Sequence, residues 1–321
     1  MLCLGVESTA HTFGIGICDE KQVLANARSV YKPKKGGIHP IEAKEHHIAA
    51  KEKVLESALA EAKLQLNDID VFAYSAGPGL PPCLKVGAEF IQNIAGKKNI
   101  IEVNHCIAHI EIGRFATKAR DPIVIYVSGG NTQVIGYAEQ RYRVFGETQD
   151  ISVGNVIDSF IRDTVSGFPG GPIFDELAKK GNYIELPYVV KGMDVSFSGI
   201  LTAAKQRHRS GASVEDLCYS LQETCYAMLV EVTERAMAHT GKSEVLVVGG
   251  VAASQRLKEM LDIMCKEREA EFFAVPIEYA RDNAAMISYT GLLAYKAGQK
   301  PTTKPDFNPK WRTDQVEILW I

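Results

Sequence analysis

Two histidines, His105 and His109, stand four residues apart in the run Val103-Asn104-His105-Cys106-Ile107-Ala108-His109. On a helix that spacing puts both imidazoles on one face, where they can reach a single divalent metal. The zinc-protease signature of the same spacing, H-E-x-x-H, needs a glutamate directly after the first histidine to activate the attacking water. Cys106 occupies that place and cannot act as the base. A metal site without protease chemistry is the first reading, and the alternative is that one imidazole simply packs.

Turns of small residues at strand ends let phosphate oxygens approach backbone N–H groups, with no Cβ in the way where glycine stands. Three turns qualify: Glu7-Ser8-Thr9, Ser128-Gly129-Gly130-Asn131-Thr132 and Gly249-Gly250-Val251-Ala252. Neither a Walker A sequence nor a complete G-x-G-x-x-G occurs, which excludes a P-loop or dinucleotide fingerprint. Each turn taken alone is equally well a structural hairpin.

The elements that must position these residues follow from periodicity. Residues 2–18 read as strand, turn and second strand, and residues 123–138 repeat that plan about 120 residues later. Between them the pattern predicts a helix from Pro40 through Leu66, a strand Val71–Tyr74, a helix from about Leu84 to Ile94, and a strand Asn99–Val103 delivering the histidine helix. Beyond residue 138 it predicts helices over 151–166 and 172–180, the latter capped by Gly181, and a long helix from Val214 to Thr240 stopped by Gly241. A strand Glu244–Val248, a further helix and a final helix over about 283–297 complete an α/β alternation.

The chain of 321 residues has room for two domains, and its 46% hydrophobic and 23% charged residues are those of an ordinary globular protein. No apolar run approaches the length of a membrane span, and no leader is recognisable at the amino terminus, so the cytoplasm is the expected compartment. The seven cysteines are scattered and form no C-x-x-C pair, which argues for reduced thiols and against a disulfide framework or thiolate zinc cluster. A net charge of −3 gives no global attraction for nucleic acid. Polyanion binding would fall to local runs such as Lys32/Lys34/Lys35, Lys97/Lys98 and Lys205/Arg207/Arg209, or to partners; a solvated face is the plainer reading of each run.

Repeated strand-first halves with phosphate turns resemble the layout of the actin, sugar-kinase and Hsp70 (ASKHA) superfamily. The segments NHCIAHIEIGR, YVSGGNTQVI, FGETQDISVGN, FPGGP, VKGMDVSFSGILTA, VVGGVAAS and DNAAM together resemble the TsaD/Gcp family, in its archaeal and eukaryotic KEOPS-type branch. The resemblance implies two similar RNase H-like ASKHA domains with an interdomain cleft, over 1–118 and 119–295, with the segment from about 296 to 321 packing back on the first. It also implies transfer of threonylcarbamoyl from threonylcarbamoyl-AMP, an ATP/AMP-type nucleotide, to N6 of the adenosine 3′ of the anticodon in tRNAs reading codons that begin with A.

By the same resemblance the metal ligands are His105, His109, Tyr126 and Asp282. Fe2+ is favoured for this N/O set, with Zn2+ or Mn2+ as alternatives. From the residues alone, Tyr126 could equally be core and Asp282 a helix cap. The implied nucleotide contacts are Tyr126, Val127, Ser128, Gly129, Gly130, Asn131, Asp158, Gly171, Asp175, Gly249, Gly250 and Ser254. Asp175 departs from the glutamate, and Ser254 from the asparagine, that relatives carry; Ala76, Pro81, Cys83 and Lys85 depart from their Gln, Gly, Ser and Arg. Glu7, His46 and His47 are the candidates for a catalytic base. Implied partners are tRNA and KEOPS subunits, including a small atypical protein kinase, with no membrane. A small-molecule kinase of the superfamily, or a non-catalytic ATP-binding scaffold, is the alternative.

Overall fold

The computed structural model describes residues 1–33, 37–165 and 170–321. Lys34 and Lys35 of the first basic run, Ser166 at the end of an expected helix, and Phe168 and Pro169 of FPGGP lie outside the described residues.

The chain forms two compact units, the first of residues 1–112, 138–142 and 281–321, the second of residues 113–137 and 143–280. In chain order the first unit begins with strands β1 (Cys3–Glu7), β2 (Thr12–Cys18) and β3 (Val23–Val30). Helix α1 (Pro40–Ala62), strand β4 (Val71–Gly77), helix α2 (Pro81–Ala95), strand β5 (Asn99–Asn104) and helix α3 (His105–Thr117) follow. β1 and β2 are buried along their whole length, and their continuous apolar run is what a central strand needs. β2 pairs antiparallel with β1 and β3, while β4 and β5 run parallel beside β1, giving the order β3-β2-β1-β4-β5.

The second unit repeats that plan with β6 (Ile123–Val127), β7 (Thr132–Ala138) and β8 (Arg141–Glu147). Helices α4 (Val153–Thr164) and α5 (Gly170–Ala178), the short pair β9 (Val190–Lys191) and β10 (Asp194–Val195), and helices α6 (Ser198–Arg209) and α7 (Val214–Thr240) come next. Then follow β11 (Glu244–Val248), helix α8 (Gln255–Glu267), β12 (Glu271–Ala274) and the single turn α9 (Ile277–Ala280). The order β12-β11-β6-β7-β8 places a hairpin strand pair on one side of the first strand and two parallel strands on the other, as in the first unit. This doubled topology is an RNase H-like strand arrangement present twice in the chain.

Helix α10 (Ala285–Lys296) packs on β1, β2 and β4, within the first unit. Gly5 and Gly16 are register partners across β1 and β2. A Cβ at Gly5 would lie 2.3 Å from the Ser288 nitrogen, and one at Gly16 would lie 2.4 Å from the Ala284 carbonyl carbon. The paired glycines thus form a bare patch of sheet on which the first turn of α10 rests, backbone against backbone.

Several elements differ from the sequence expectation. α1 ends at Ala62, before Leu66, because Lys63 takes a left-handed conformation (φ 56°) and its N–H closes the last turn on Ala60 and Leu59. Gly181 does not cap a helix in the left-handed region; α5 ends at Ala178, and Gly181 is small because a Cβ would meet the Glu215 carbonyl oxygen at 2.1 Å. β3, β8 and α6, which carry mixed polar sequence, and the four-residue β12 lie outside the expectation. All seven cysteines are buried free thiols, as read from their spacing. No helix among the described residues is long and apolar enough to cross a membrane.

Candidate metal centre

β5 runs directly into α3, and Asn104 at the junction caps the helix. Its Oδ1 accepts from the N–H groups of Cys106 (3.0 Å) and Ile107 (3.2 Å), while its Nδ2 donates to the Trp311 carbonyl (3.0 Å). His105 is therefore the first helical residue, and His109 stands one turn further on the same face. Their rings meet edge to face with centroids 4.8 Å apart, and both are buried.

Asp282 reaches the same place from the segment leading into α10. Its Oδ1 lies 3.6 Å from His105 Nε2 and 3.5 Å from His109 Nε2, and its Oδ2 lies 3.9 Å from His11 Nδ1. The cap of α10 is supplied by the next residue: Asn283 Oδ1 accepts from the Met286 N–H at 3.0 Å. The capping alternative for Asp282 is thereby replaced, and its carboxylate faces imidazoles instead.

One donor atom from each of His105, His109 and Asp282 lies within 4.8 Å of the other two. Two imidazole nitrogens and a carboxylate oxygen, with no thiolate, suit a divalent transition ion. The electrostatics agree. Burial raises the Asp282 carboxyl, but the bond from His109 and the charges of His105 and His11 outweigh it and hold it well below the usual carboxylate range. Burial pulls the His105 imidazole down, but Glu7, through charge and hydrogen bond, and Asp282 lift it to about 9. For His109 burial dominates and its pKa is lowered.

The other candidates are placed as follows. Glu7, at the end of β1, is fully buried and approaches His105 Nδ1 at 3.0 Å. In the turn after it, the Ser8 N–H donates to Ser75 Oγ (3.0 Å) and the Thr9 N–H to Glu7 Oε1 (2.7 Å), so both amides already have acceptors within the protein. His46 meets Ser29 Oγ at 2.8 Å and His47 Nδ1 at 3.4 Å, and His47 is fully buried beside Phe13. Burial, then the neighbouring His46 and His11, bring His47 down to about 4. Lys98 is committed to the carbonyls of Asn67 and Ile69, and Lys205 to Asp163.

In the second unit Tyr126 is buried on β6, paired in register with Gln133 and Val248. After Val127, the Ser128 Oγ accepts from the N–H groups of Gly130 (3.3 Å) and Asn131 (3.0 Å), which folds the glycine loop back on itself. A Cβ at Gly129, Gly130, Gly171 or Gly250 would meet nothing within 4 Å, so each leaves open space beside the backbone. Gly249, at φ 94°, instead packs against the Val127 carbonyl. Asp158 Oδ1 accepts from the Gly170 N–H (2.9 Å). Asp175 accepts from Gln222 Nε2 (2.9 Å) and Ser254 Oγ (3.3 Å), and burial raises its carboxyl despite both donors.

Comparison with known proteins agrees with this architecture. At the level of fold, the chain is similar to HypF from T. kodakarensis, with TM-score 0.64, 15% identity and coverage of 91% of this chain and 47% of that one. It is also similar to the ROK hexokinase of Thermus thermophilus, with TM-score 0.50, 13% identity and coverage of 93% and 100%. A relative from Thermococcus kodakarensis named tRNA N6-adenosine threonylcarbamoyltransferase is 54% identical over 326 aligned positions, covering 100% of both chains. Residues 22–289 match the family described as TsaD, tRNA N6-adenosine threonylcarbamoyltransferase. By that match and that identity, the chain belongs to the TsaD family.

Proposed function

We propose that this chain is a metal-dependent tRNA N6-adenosine threonylcarbamoyltransferase that uses threonylcarbamoyl-AMP and works as the catalytic subunit of a KEOPS-type complex. The observation that carries the reading is the His105–His109–Asp282 donor set, with both imidazoles buried and the carboxylate half-buried, in a chain so similar to named transferases. The exocyclic amine of adenosine attacks the carbamoyl carbon of the mixed anhydride. A C–N bond forms, the C–O bond to phosphate breaks, the amine loses a proton and AMP leaves. A weak nucleophile of this kind gains most from being positioned.

In this reading the residues of the second unit hold the adenylate. The open backbone at Gly129, Gly130, Gly171 and Gly250 admits phosphate and sugar, and Asp158 and Asp175 accept from ribose hydroxyls, with Val127, Ser128, Asn131, Gly249 and Ser254 shaping the surroundings. His105, His109 and Asp282 would hold an Fe2+, Zn2+ or Mn2+ ion, and the resemblance adds Tyr126 as a fourth ligand. When bound, such an ion supplies Lewis-acid stabilisation to phosphate or threonyl oxygens. The net charge of −3 favours a division of labour in which partner subunits, among them a small atypical protein kinase, provide much of the tRNA surface in the cytoplasm.

The test is reconstitution with the partner subunits, threonylcarbamoyl-AMP and tRNA, followed by AMP quantification and mass spectrometry of tRNA nucleosides. AMP release in step with threonylcarbamoyladenosine formation is the expected result. ADP formed from ATP with a small phosphoryl acceptor would identify a kinase, and modification that needs this chain but is unchanged in His105→Ala/His109→Ala would reduce it to a scaffold.

A further inference from the structure

The turn after β1 reads in sequence as a phosphate contact, yet its carboxylate is committed elsewhere. Glu7 is fully buried. Its Oε1 takes the N–H (2.7 Å) and Oγ1 (2.5 Å) of Thr9, and its Oε2 lies 3.0 Å from Nδ1 of His105. Thr9 Oγ1 is itself 3.3 Å from the same Nδ1. Both carboxylate oxygens are thus engaged inside the fold, a poor arrangement for a base that must meet substrate. It is a good one for holding a ring still.

We infer that Glu7 is a positioning residue for the metal centre: it accepts the Nδ1 proton of His105 and so fixes the ring in the tautomer that presents Nε2 as the ligand nitrogen. This inference rests on the metal reading proposed above. A carboxylate oxygen only accepts, so Nδ1 is the donor of the pair. When an incoming ion displaces the other ring proton, Nε2 is the nitrogen whose lone pair is left to bind it, and it is the one that faces Asp282 Oδ1, at 3.6 Å. Thr9 aims Glu7 as Glu7 aims His105, a chain of contacts in which β1 sets the ring angle of a residue on α3. Carboxylate partners of ligating histidines act in this way at many metal sites, and their loss weakens metal affinity about 10- to 100-fold.

The experiment titrates the purified full chain with Zn2+ against a competing chelator, for wild type, Glu7→Gln, His105→Ala, His109→Ala and the double variant Glu7→Gln/His105→Ala. Glu7→Gln keeps the shape and an acceptor for Thr9 but removes the charge. The expected result is a 10- to 100-fold loss for Glu7→Gln in the wild-type background and no further loss in the His105→Ala background, with the apoprotein unfolding temperature little changed. Wild-type affinity in Glu7→Gln, or an equal loss in both backgrounds, overturns the inference. Nitrogen NMR of histidine-labelled, zinc-loaded wild type gives a second readout that needs no variant: His105 must show a protonated Nδ1 and a metal-bound Nε2. The reverse assignment overturns the inference even if Glu7→Gln does not fold. If His109→Ala keeps full zinc affinity, the metal reading falls and this inference with it; if His109→Ala loses zinc and Glu7→Gln does not, only the inference falls.

Discussion

Ser254 Oγ donates to Asp175 Oδ1 at 3.3 Å, so the two residues that depart from the family pattern at the implied nucleotide site touch one another. The family resemblance implies glutamate and asparagine at these two positions, and both are longer than the residues present. Lengthening either side chain must shift the contact, and the shift each causes depends on the length of the other.

Asp175→Glu and Ser254→Asn should therefore each weaken ATP binding, and the double variant should depart from the sum of the two losses, with a coupling of about 0.5–3 kcal/mol. Calorimetric titration of the four proteins measures it. Strict additivity would show that the contact has no bearing on nucleotide.

His105→Ala, His109→Ala and Asp282→Asn should each lower metal content sharply while leaving the fold intact, since none of them opens the hydrophobic core. Asn283→Ala should do something different: it removes the cap on Met286 N–H and costs about 1 kcal/mol of stability. Elemental analysis beside thermal melts separates the two. Asp282→Asn with full metal and a lowered melting temperature would return Asp282 to a structural role.

Metal uptake should be linked to protons through His105, lifted to about 9 in the metal-free protein. Below that pH an incoming ion must displace the proton, so apparent affinity should rise about tenfold per unit as pH increases towards 9, then level off. Chelator competition in buffers spanning that range reads the slope. A flat profile would mean that His105 is already neutral.

His47 gives the opposite dependence, in stability. Its native pKa of about 4 lies below the unfolded value of 6.5. Above 6.5 neither state binds the proton and His47 contributes no slope. As pH falls from 6.5 towards 4 the unfolded chain takes up the proton first, and stability declines by up to about 3 kcal/mol. His105, raised in the fold, is protonated in both states below 6.5 and does not mask the trend. Denaturant melts of wild type and His47→Gln across this range should show a shallower acid limb in the variant.

Gly130→Val should abolish thermal stabilisation by ATP without harming the fold, because a Cβ at Gly130 enters open space. Gly154→Val is the contrast, since a Cβ there meets the Ser128 carbonyl oxygen at 2.4 Å and should destabilise the protein outright. Equal ATP shifts in wild type and Gly130→Val would move the nucleotide away from this loop.

What the sequence made legible was whatever repeats at short range. The His105/His109 spacing, the two strand-first hairpins and the glycine stop at Gly241 each depend on residues within a few positions of one another. β3 was not legible, because Val23–Val30 mixes Asn26, Arg28 and Ser29 with its apolar residues, as an edge strand with one solvated side will. α6 was missed for a related reason: its last turn is basic, and only Ile200, Leu201 and Ala204 are buried. Asp282 and Glu7 join the histidines across long stretches of chain. Family resemblance supplied Asp282 as a ligand; the link from Glu7 to His105 needed coordinates.

The bare patch at Gly5 and Gly16 governs more than packing. Asp282 is carried just ahead of the helix that rests there, so the height of that helix above the sheet sets how far a carboxylate from late in the chain stands from two imidazoles fixed much earlier. A single methyl at position 5 or 16 would act as a spacer beneath a lever, moving Asp282 outward while every proposed ligand remained in the sequence. Substitutions at these two glycines can thus silence the centre in a protein whose ligand residues all look intact.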